Sequence, residues 1–273
     1  MDKKKRFDKI SEDIKSIKIQ GARTIAKAAF YAYSLIPTKS SMKKLLSLRP
    51  TEPMLEKVLS LVGKKSNKEI LAHFDEAQMQ INKYVLKIIQ NNDVIFTHCH
   101  STNVVNSLIF AKNAWKKFQV YNTETRPLFQ GRKTARQLKN TGIKVTMFVD
   151  SAAAIAIEKQ NSKDKVYANK VFIGADALLK NGIINKIGSG LISELAHIHK
   201  VPVYIIADSW KFTKKKVPIE NRSLNEVWNR APKNIKIKNP AFEFVPKKYI
   251  TGIVSELGIM KYDDFVKRMR KEN

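Results

Sequence analysis

Asn91-Asn92-Asp93-Val94-Ile95-Phe96-Thr97-His98-Cys99-His100-Ser101 divides the chain into two kinds of sequence. Upstream, apolar residues return every three or four positions, which predicts helices. Phe7, Ile10, Ile14 and Ile17 begin the pattern. An Ala-rich stretch, Ala22 to Leu35, stops before Pro37, and Met42 to Leu48 ends at Arg49-Pro50. Thr51 is placed to cap a helix over Met54 to Val62, which ends at Gly63. The longest periodic stretch, Asn67 to Gln90, carries Ile70, Leu71, Phe74, Ala77, Ile81, Val85 and Ile88 on one stripe. Downstream, short β-branched or aromatic runs take over: Val94 to Thr97, Phe118 to Tyr121, Val145 to Val149, Val171 to Ile173 and Val203 to Ile206. Helical patterns lie between them, at Val104 to Trp115, Thr134 to Asn140, Ala152 to Ile157 and Ile187 to His199. Strands alternating with helices imply a parallel, doubly wound sheet. The expectation is an α/β protein with a helical domain over residues 1–91 and a sheet domain over 92–273.

The composition suits this. Of 273 residues, 43% are hydrophobic and 27% charged, which excludes a disordered or collagenous chain. The formal net charge of +27 favours polyanions or phosphorylated small molecules as partners. The basic residues are spread along the chain, without the clustered, aromatic-interleaved stripe of a nucleic-acid binder, so nucleic acid is not the expected partner. Lys3-Lys4-Lys5 and Lys214-Lys215-Lys216 read as solvated turns. A single cysteine leaves no internal disulfide, suits a reducing compartment and excludes a Cys-based zinc site. No run has the length of a membrane span, and the basic start, Met1 to Arg6, precedes no apolar segment. These features predict a cytoplasmic protein that uses no membrane, metal or cofactor.

In doubly wound sheets ligands bind beyond the carboxyl ends of the strands. After the first strand, Cys99 stands near a helix start, where free N–H groups and the dipole favour a thiolate; a small buried hydrophobe fits the same spacing. After the second, Arg126 and Gln130 on a Pro/Gly-shaped loop can orient an oxygen-rich ligand or anchor the loop itself. After the third, Asp150-Ser151 reads as a helix cap alone. After the fourth, Asp176 is either an acid–base group or a turn cap. The following loop, through Asn185-Lys186-Ile187-Gly188-Ser189, opens a helix and suits a phosphate, without Walker spacing. Lys211 after the fifth strand adds a cation, or is surface. Together these suggest proton transfer on a phosphorylated metabolite. A thiolate and a carboxylate can divide the base and acid roles of an aldose–ketose isomerisation.

Thr97-His98-Cys99-His100-Ser101, Thr123-Glu124-Thr125-Arg126-Pro127 with Gln130-Gly131, Val149-Asp150-Ser151-Ala152-Ala153, Gly174-Ala175-Asp176 and Asn185-Lys186-Ile187-Gly188 resemble the archaeal ribose 1,5-bisphosphate isomerases. So do Pro232-Lys233-Asn234-Ile235 and Asn239-Pro240-Ala241-Phe242-Glu243, and the likeness runs from about Ile14 to Ile259. The wider group holds the methylthioribose-1-phosphate isomerases and the α, β and δ subunits of translation initiation factor 2B. The resemblance implies a helical domain on a Rossmann-like domain. It implies conversion of ribose 1,5-bisphosphate to ribulose 1,5-bisphosphate in AMP and nucleoside salvage, and assembly as a dimer or hexamer. It also implies Cys99 as proton acceptor and Asp176 as proton donor. Substrate contacts would fall on Gln20, Gly21, Ala22, Arg23, Arg49, Ser101, Thr102, Asn103, Asn185, Lys186 and Lys211, with His98 and His100 able to tune the thiol.

Two stretches depart from the family. Gln20-Gly21-Ala22-Arg23 stands for Arg-Gly-Ala-Gly, and Glu52-Pro53-Met54 follows Arg49-Pro50-Thr51 where Ala-Val-Ser is usual. The alternative is a non-catalytic regulatory subunit of the initiation-factor type; those subunits generally lack the cysteine that this chain keeps at Cys99.

Overall fold

Five helices come first in the computed structural model, which describes residues 2–158 and 167–272: α1 (Lys3–Lys15), α2 (Ala22–Leu35), α3 (Lys39–Leu48), α4 (Pro53–Leu61) and α5 (Asn67–Ile88). Local signals set their ends. Ser66 and Glu69 form a reciprocal capping box at the start of α5. Pro53 occupies the first turn of α4, where its missing N–H costs nothing. Thr51 does not cap α4. Glu52 holds the cap position without a side-chain bond, and Thr51 Oγ1 is buried with no partner among the described residues.

Ile14, Ile25, Leu45, Leu55 and Leu59 close a core among α1 to α4. Ala26, Phe30, Val58, Ile70 and Phe74 close a second one with the first half of α5. The second half of α5 turns elsewhere: Ile81 and Val85 pack with Ile95, Val104 and Leu108. One 22-residue helix thus ties the helical segment to the sheet.

The elements that follow are β1 (Asp93–Thr97), α6 (Thr102–Asn113), β2 (Phe118–Thr123), α7 (Gln130–Asn140), β3 (Lys144–Phe148), α8 (Ala153–Ile157), β4 (Lys170–Ile173), β5 (Ala177–Leu178), β6 (Gly182–Lys186), α9 (Ser189–Ile198), β7 (Val203–Ile206), β8 (Phe242–Pro246), β9 (Gly252–Ser255), β10 (Gly258–Met260) and α10 (Tyr262–Glu272). Seven strands form one sheet in the order β10-β9-β7-β4-β1-β2-β3, parallel except for the β9–β10 hairpin. Its central strands are buried on both faces, which is why they read as unbroken apolar runs. Phe96, Val171, Ile173 and Ile205 face one core, while Ile95, Phe172, Ile206 and Val254 face the other.

The chain builds outward from β1 to β2 and β3, then returns to the other side of β1 for β4, β7 and β9. The winding reverses between β1 and β4, so the crevice for a ligand opens above their carboxyl ends.

A second, antiparallel sheet joins β5, β6 and β8. It corrects one expectation: Asn185 and Lys186 do not sit on a loop but end strand β6, paired with Glu243 and Phe242 of β8. Helix α9 opens only at Ser189, after Gly188 in a left-handed conformation. No helix among the described residues is long and apolar enough to cross a membrane.

Candidate active site

The backbone leaves β1 in a left-handed turn at Cys99, with φ 65°. That conformation is uncommon for a residue with a Cβ and persists only where neighbours hold it. Here Cys99 N donates to Thr125 Oγ1 (3.0 Å), and Thr134 Oγ1 donates to the Cys99 carbonyl (2.8 Å). Because that hydroxyl proton is committed to Cys99, His100 Nδ1 is the donor to Thr134 Oγ1 at 3.0 Å. Ser101 then caps α6. Across the crevice, β4 leads into Gly174, where an added Cβ would lie 2.6 Å from Ser101 Oγ. Glycine is therefore required at 174 for the tops of β1 and β4 to touch.

His98 is buried and bonded on both ring nitrogens, Nε2 to the Ile187 carbonyl (2.8 Å) and Nδ1 to Thr123 Oγ1 (2.5 Å). A carbonyl only accepts, so Nε2 carries the proton and Nδ1 accepts from the threonine hydroxyl. Burial holds this imidazole below its usual range, so it is a neutral strut between β1, β2 and the turn before α9. Burial likewise pushes His100 down to about 4, helped by Lys133.

These elements surround a cavity of about 160 Å³. From the strand side it receives Cys99, Ser101, Thr102 and Asn103 after β1, Asp176 after β4, Asn185 and Lys186 from β6, Lys211 after β7 and Gln130 from α7. From the helical side it receives Gln20, Gly21, Ala22 and Arg23 at the start of α2, and Arg49 after α3. Arg126 is not among them: its guanidinium donates to the Val227 carbonyl (3.1 Å) and lies over the Phe129 ring. Asp150 does not cap its own turn. Its carboxylate accepts from the backbone N–H groups of Thr125 (2.8 Å) and Arg126 (2.6 Å), so it shapes the β2–α7 loop. Glu52, Lys133 and Arg222 also line the cavity and escaped the sequence reading. Only the acidic residue beside Arg49-Pro50-Thr51 was a signal, and helical periodicity explains it as a first-turn acid.

Burial dominates the electrostatics. It raises the Asp176 carboxyl, against the pull of Lys211, Arg49 and Lys186, and favours the protonated acid. It pushes the Cys99 thiol up to about 12, against the His100 N–H and the Lys186 ammonium. Desolvation thus opposes the thiolate that the helix start favours. Burial also lowers Lys186, and negative charge on Cys99 would restore it. The Asn185 amide lies 3.2 Å from both Asp176 Oδ2 and Gly174 O and 2.8 Å from Ser189 Oγ, whose own proton goes to the Lys186 carbonyl. Lys211 is buried, not on the surface, and donates to the Ala175 carbonyl at 2.6 Å.

Lys211 ends a short 3₁₀ turn, Ser209–Lys211, anchored from behind. Asp208 accepts from Trp210 N (2.8 Å) and bonds His73 Nε2 (3.1 Å), and Glu256 accepts from Ser209 N (3.0 Å). The His73 ring stacks on Trp210 with centroids 3.5 Å apart. His73, Asp208 and Glu256 offer ligand atoms within 4.8 Å of one another, a spacing suited to a metal, yet each already serves this anchor.

Comparison with known proteins places these features in a lineage. The model of the initiation factor 2 subunit family matches residues 4–262. The ribose 1,5-bisphosphate isomerase of Thermococcus kodakarensis is 34% identical over 299 residues, covering 92% of this chain and 89% of that protein. The enzyme of the same name from Methanocaldococcus jannaschii is 35% identical over 283 residues, covering 91% and 89%. Among solved structures, the Pyrococcus horikoshii OT3 translation initiation factor eIF-2B superposes with a TM-score of 0.81 at 26% identity, covering 94% of this chain and 97% of that one.

Proposed function

The chain belongs to the initiation factor 2 subunit family, and from that premise we propose that it is a sugar-phosphate isomerase converting ribose 1,5-bisphosphate to ribulose 1,5-bisphosphate. One observation carries the reading: Cys99 and Asp176 line one cavity above the winding reversal, together with Lys186 and Lys211. A regulatory subunit has no need of a thiol and a carboxyl gathered in one cationic pocket.

A sugar with phosphate on its anomeric carbon cannot open its ring by itself. Cys99 removes the proton from C2, the C1–C2 double bond forms, and the bond from C1 to the ring oxygen breaks. Asp176, whose hold on a proton is strengthened by desolvation, gives its proton to the departing ring oxygen. Cys99 then returns a proton to C1, and the Asp176 carboxylate takes the proton of the 2-hydroxyl. One proton moves from C2 to C1 and one from the 2-hydroxyl to the ring oxygen, so both residues end as they began.

To serve as base the thiol must lose its proton, and the Lys186 ammonium favours that loss against the burial that opposes it. The same ammonium, beside Asn185 on β6, is placed to hold a phosphate. Lys211 contributes a second cation from the β7 side.

The division at 91/92 is a working one in this proposal: the first part brings Arg49 and Arg23, and the second brings the reacting groups. Self-association as a dimer or hexamer belongs to the same proposal, supported by Ile155 on α8 and Leu191 and Ile198 on α9, which are all exposed. The direct test is turnover of ribose 1,5-bisphosphate by the purified protein, with product detected by coupling to a RuBisCO. Sustained product formation supports the reading; its absence, with folded protein, favours the non-catalytic alternative.

A further inference from the structure

We propose that Glu52 is a specificity-determining residue of this cavity: its carboxyl competes with a substrate phosphate for Arg49, so a second phosphate is accepted only while that carboxyl holds a proton. The proposal rests on reading the cavity as a sugar-phosphate site.

The geometry is that of an occupied receptor. Arg49 is almost wholly buried, with one terminal nitrogen 3.2 Å from Glu220 and 3.6 Å from Glu52. Its Nε and its other terminal nitrogen have no hydrogen-bond partner among the described residues, and neither does Glu52 Oε2. Arg49 and Glu52 both line the cavity. Two buried donors and one buried carboxyl oxygen, on residues that line the same cavity, are therefore left without a partner. A phosphate suits the donors, but a carboxylate beside it repels it strongly in a desolvated site. A protonated carboxyl does the opposite, donating a hydrogen bond to a phosphate oxygen.

The charged groups facing Glu52 are Arg49 and Glu220, with Asp176 and Lys211 from the strand side. It also borders a second pocket of about 230 Å³, with the Glu56–Lys215 ion pair and Lys216. Burial pushes Glu52 up to about 8. The sign follows: below that value the carboxyl is neutral and the phosphate is held, and above it the carboxylate displaces the phosphate.

The test is KM for ribose 1,5-bisphosphate across the neutral to alkaline range in the natural protein, Glu52→Gln and Glu52→Ala. The natural protein's KM rises by about tenfold by one pH unit above the Glu52 titration, while both variants stay flat. A merely structural Glu52 changes KM equally at every pH, so parallel or coincident curves overturn the proposal. If none of the three turns over the sugar, the reading of function has failed separately. Binding of inorganic phosphate over the same range then carries the comparison: affinity falling with pH only in the natural protein supports competition, and three parallel curves refute it.

Discussion

The cavity has two walls, built on different principles. On the strand wall, Lys186 ends β6, Cys99 and Asp176 lie in the short turns that leave β1 and β4, and close contact between Gly174 and Ser101 locks the tops of those two strands together. On the helical wall, the cations are held by acids of the same chain: Arg49 by Glu52 and Glu220, and Arg23 by Asp75 at 2.5 Å. Backbone position cannot be altered one residue at a time, whereas an ion pair can be formed or lost by a single substitution. Chemistry therefore belongs on the first wall, and substrate choice can drift on the second.

The largest effect expected from this contrast is on the strand wall. Asp176→Asn keeps shape but cannot supply an acidic proton, so kcat falls about 10²- to 10⁴-fold while KM stays within about tenfold. Steady-state kinetics checks both; an active variant would move the acid elsewhere and break the comparison.

Next comes Lys186→Met, which removes a charge-assisted partner of phosphate worth about 1.5–3 kcal/mol and the cation that favours loss of the Cys99 proton. KM rises by roughly tenfold or more and kcat falls with it. A variant with unchanged KM would mean that the phosphate does not rest on β6.

The smallest effects belong to the start of α2. Gln20 precedes the helix and donates to the Ile17 carbonyl at 2.9 Å, so Gln20→Ala changes KM by less than about twofold. Arg23 lines the cavity but is shared with Asp75, and Arg23→Ala raises KM by a few-fold. If Arg23→Ala matched Lys186→Met, the two walls would be equal partners in binding and the distinction would lose its force.

The same contrast explains what could be read in the sequence. Strands β1 to β4 and β7 were legible because burial on both faces makes unbroken apolar runs, and the strand-end rule then leads to Cys99 and Asp176. Strand β6 was not, because Gly182-Ile183-Ile184-Asn185-Lys186 has a short apolar stretch and pairs with Phe242–Pro246, some sixty residues away. β9 opens on Gly252 and completes the sheet from the far end of the chain. Arg126 was misjudged because a loop arginine looks alike whether it faces a ligand or, as here, the Val227 carbonyl. The state of Cys99 stayed open between a thiolate and a small hydrophobe because a helix start is visible in sequence and desolvation is not. The helical wall was reachable only through family resemblance, since no local pattern announces that Arg49 and Glu52 point into a cavity.

The central claim is that Cys99 is the base and contributes little to binding. It is tested most directly by Cys99→Ala, comparing turnover of ribose 1,5-bisphosphate with its calorimetric affinity for the folded variant. The account predicts turnover reduced at least about 10²-fold with affinity within about tenfold of the natural protein. Near-normal turnover by the variant would contradict it, leaving Cys99 as a small buried side chain with no part in the chemistry.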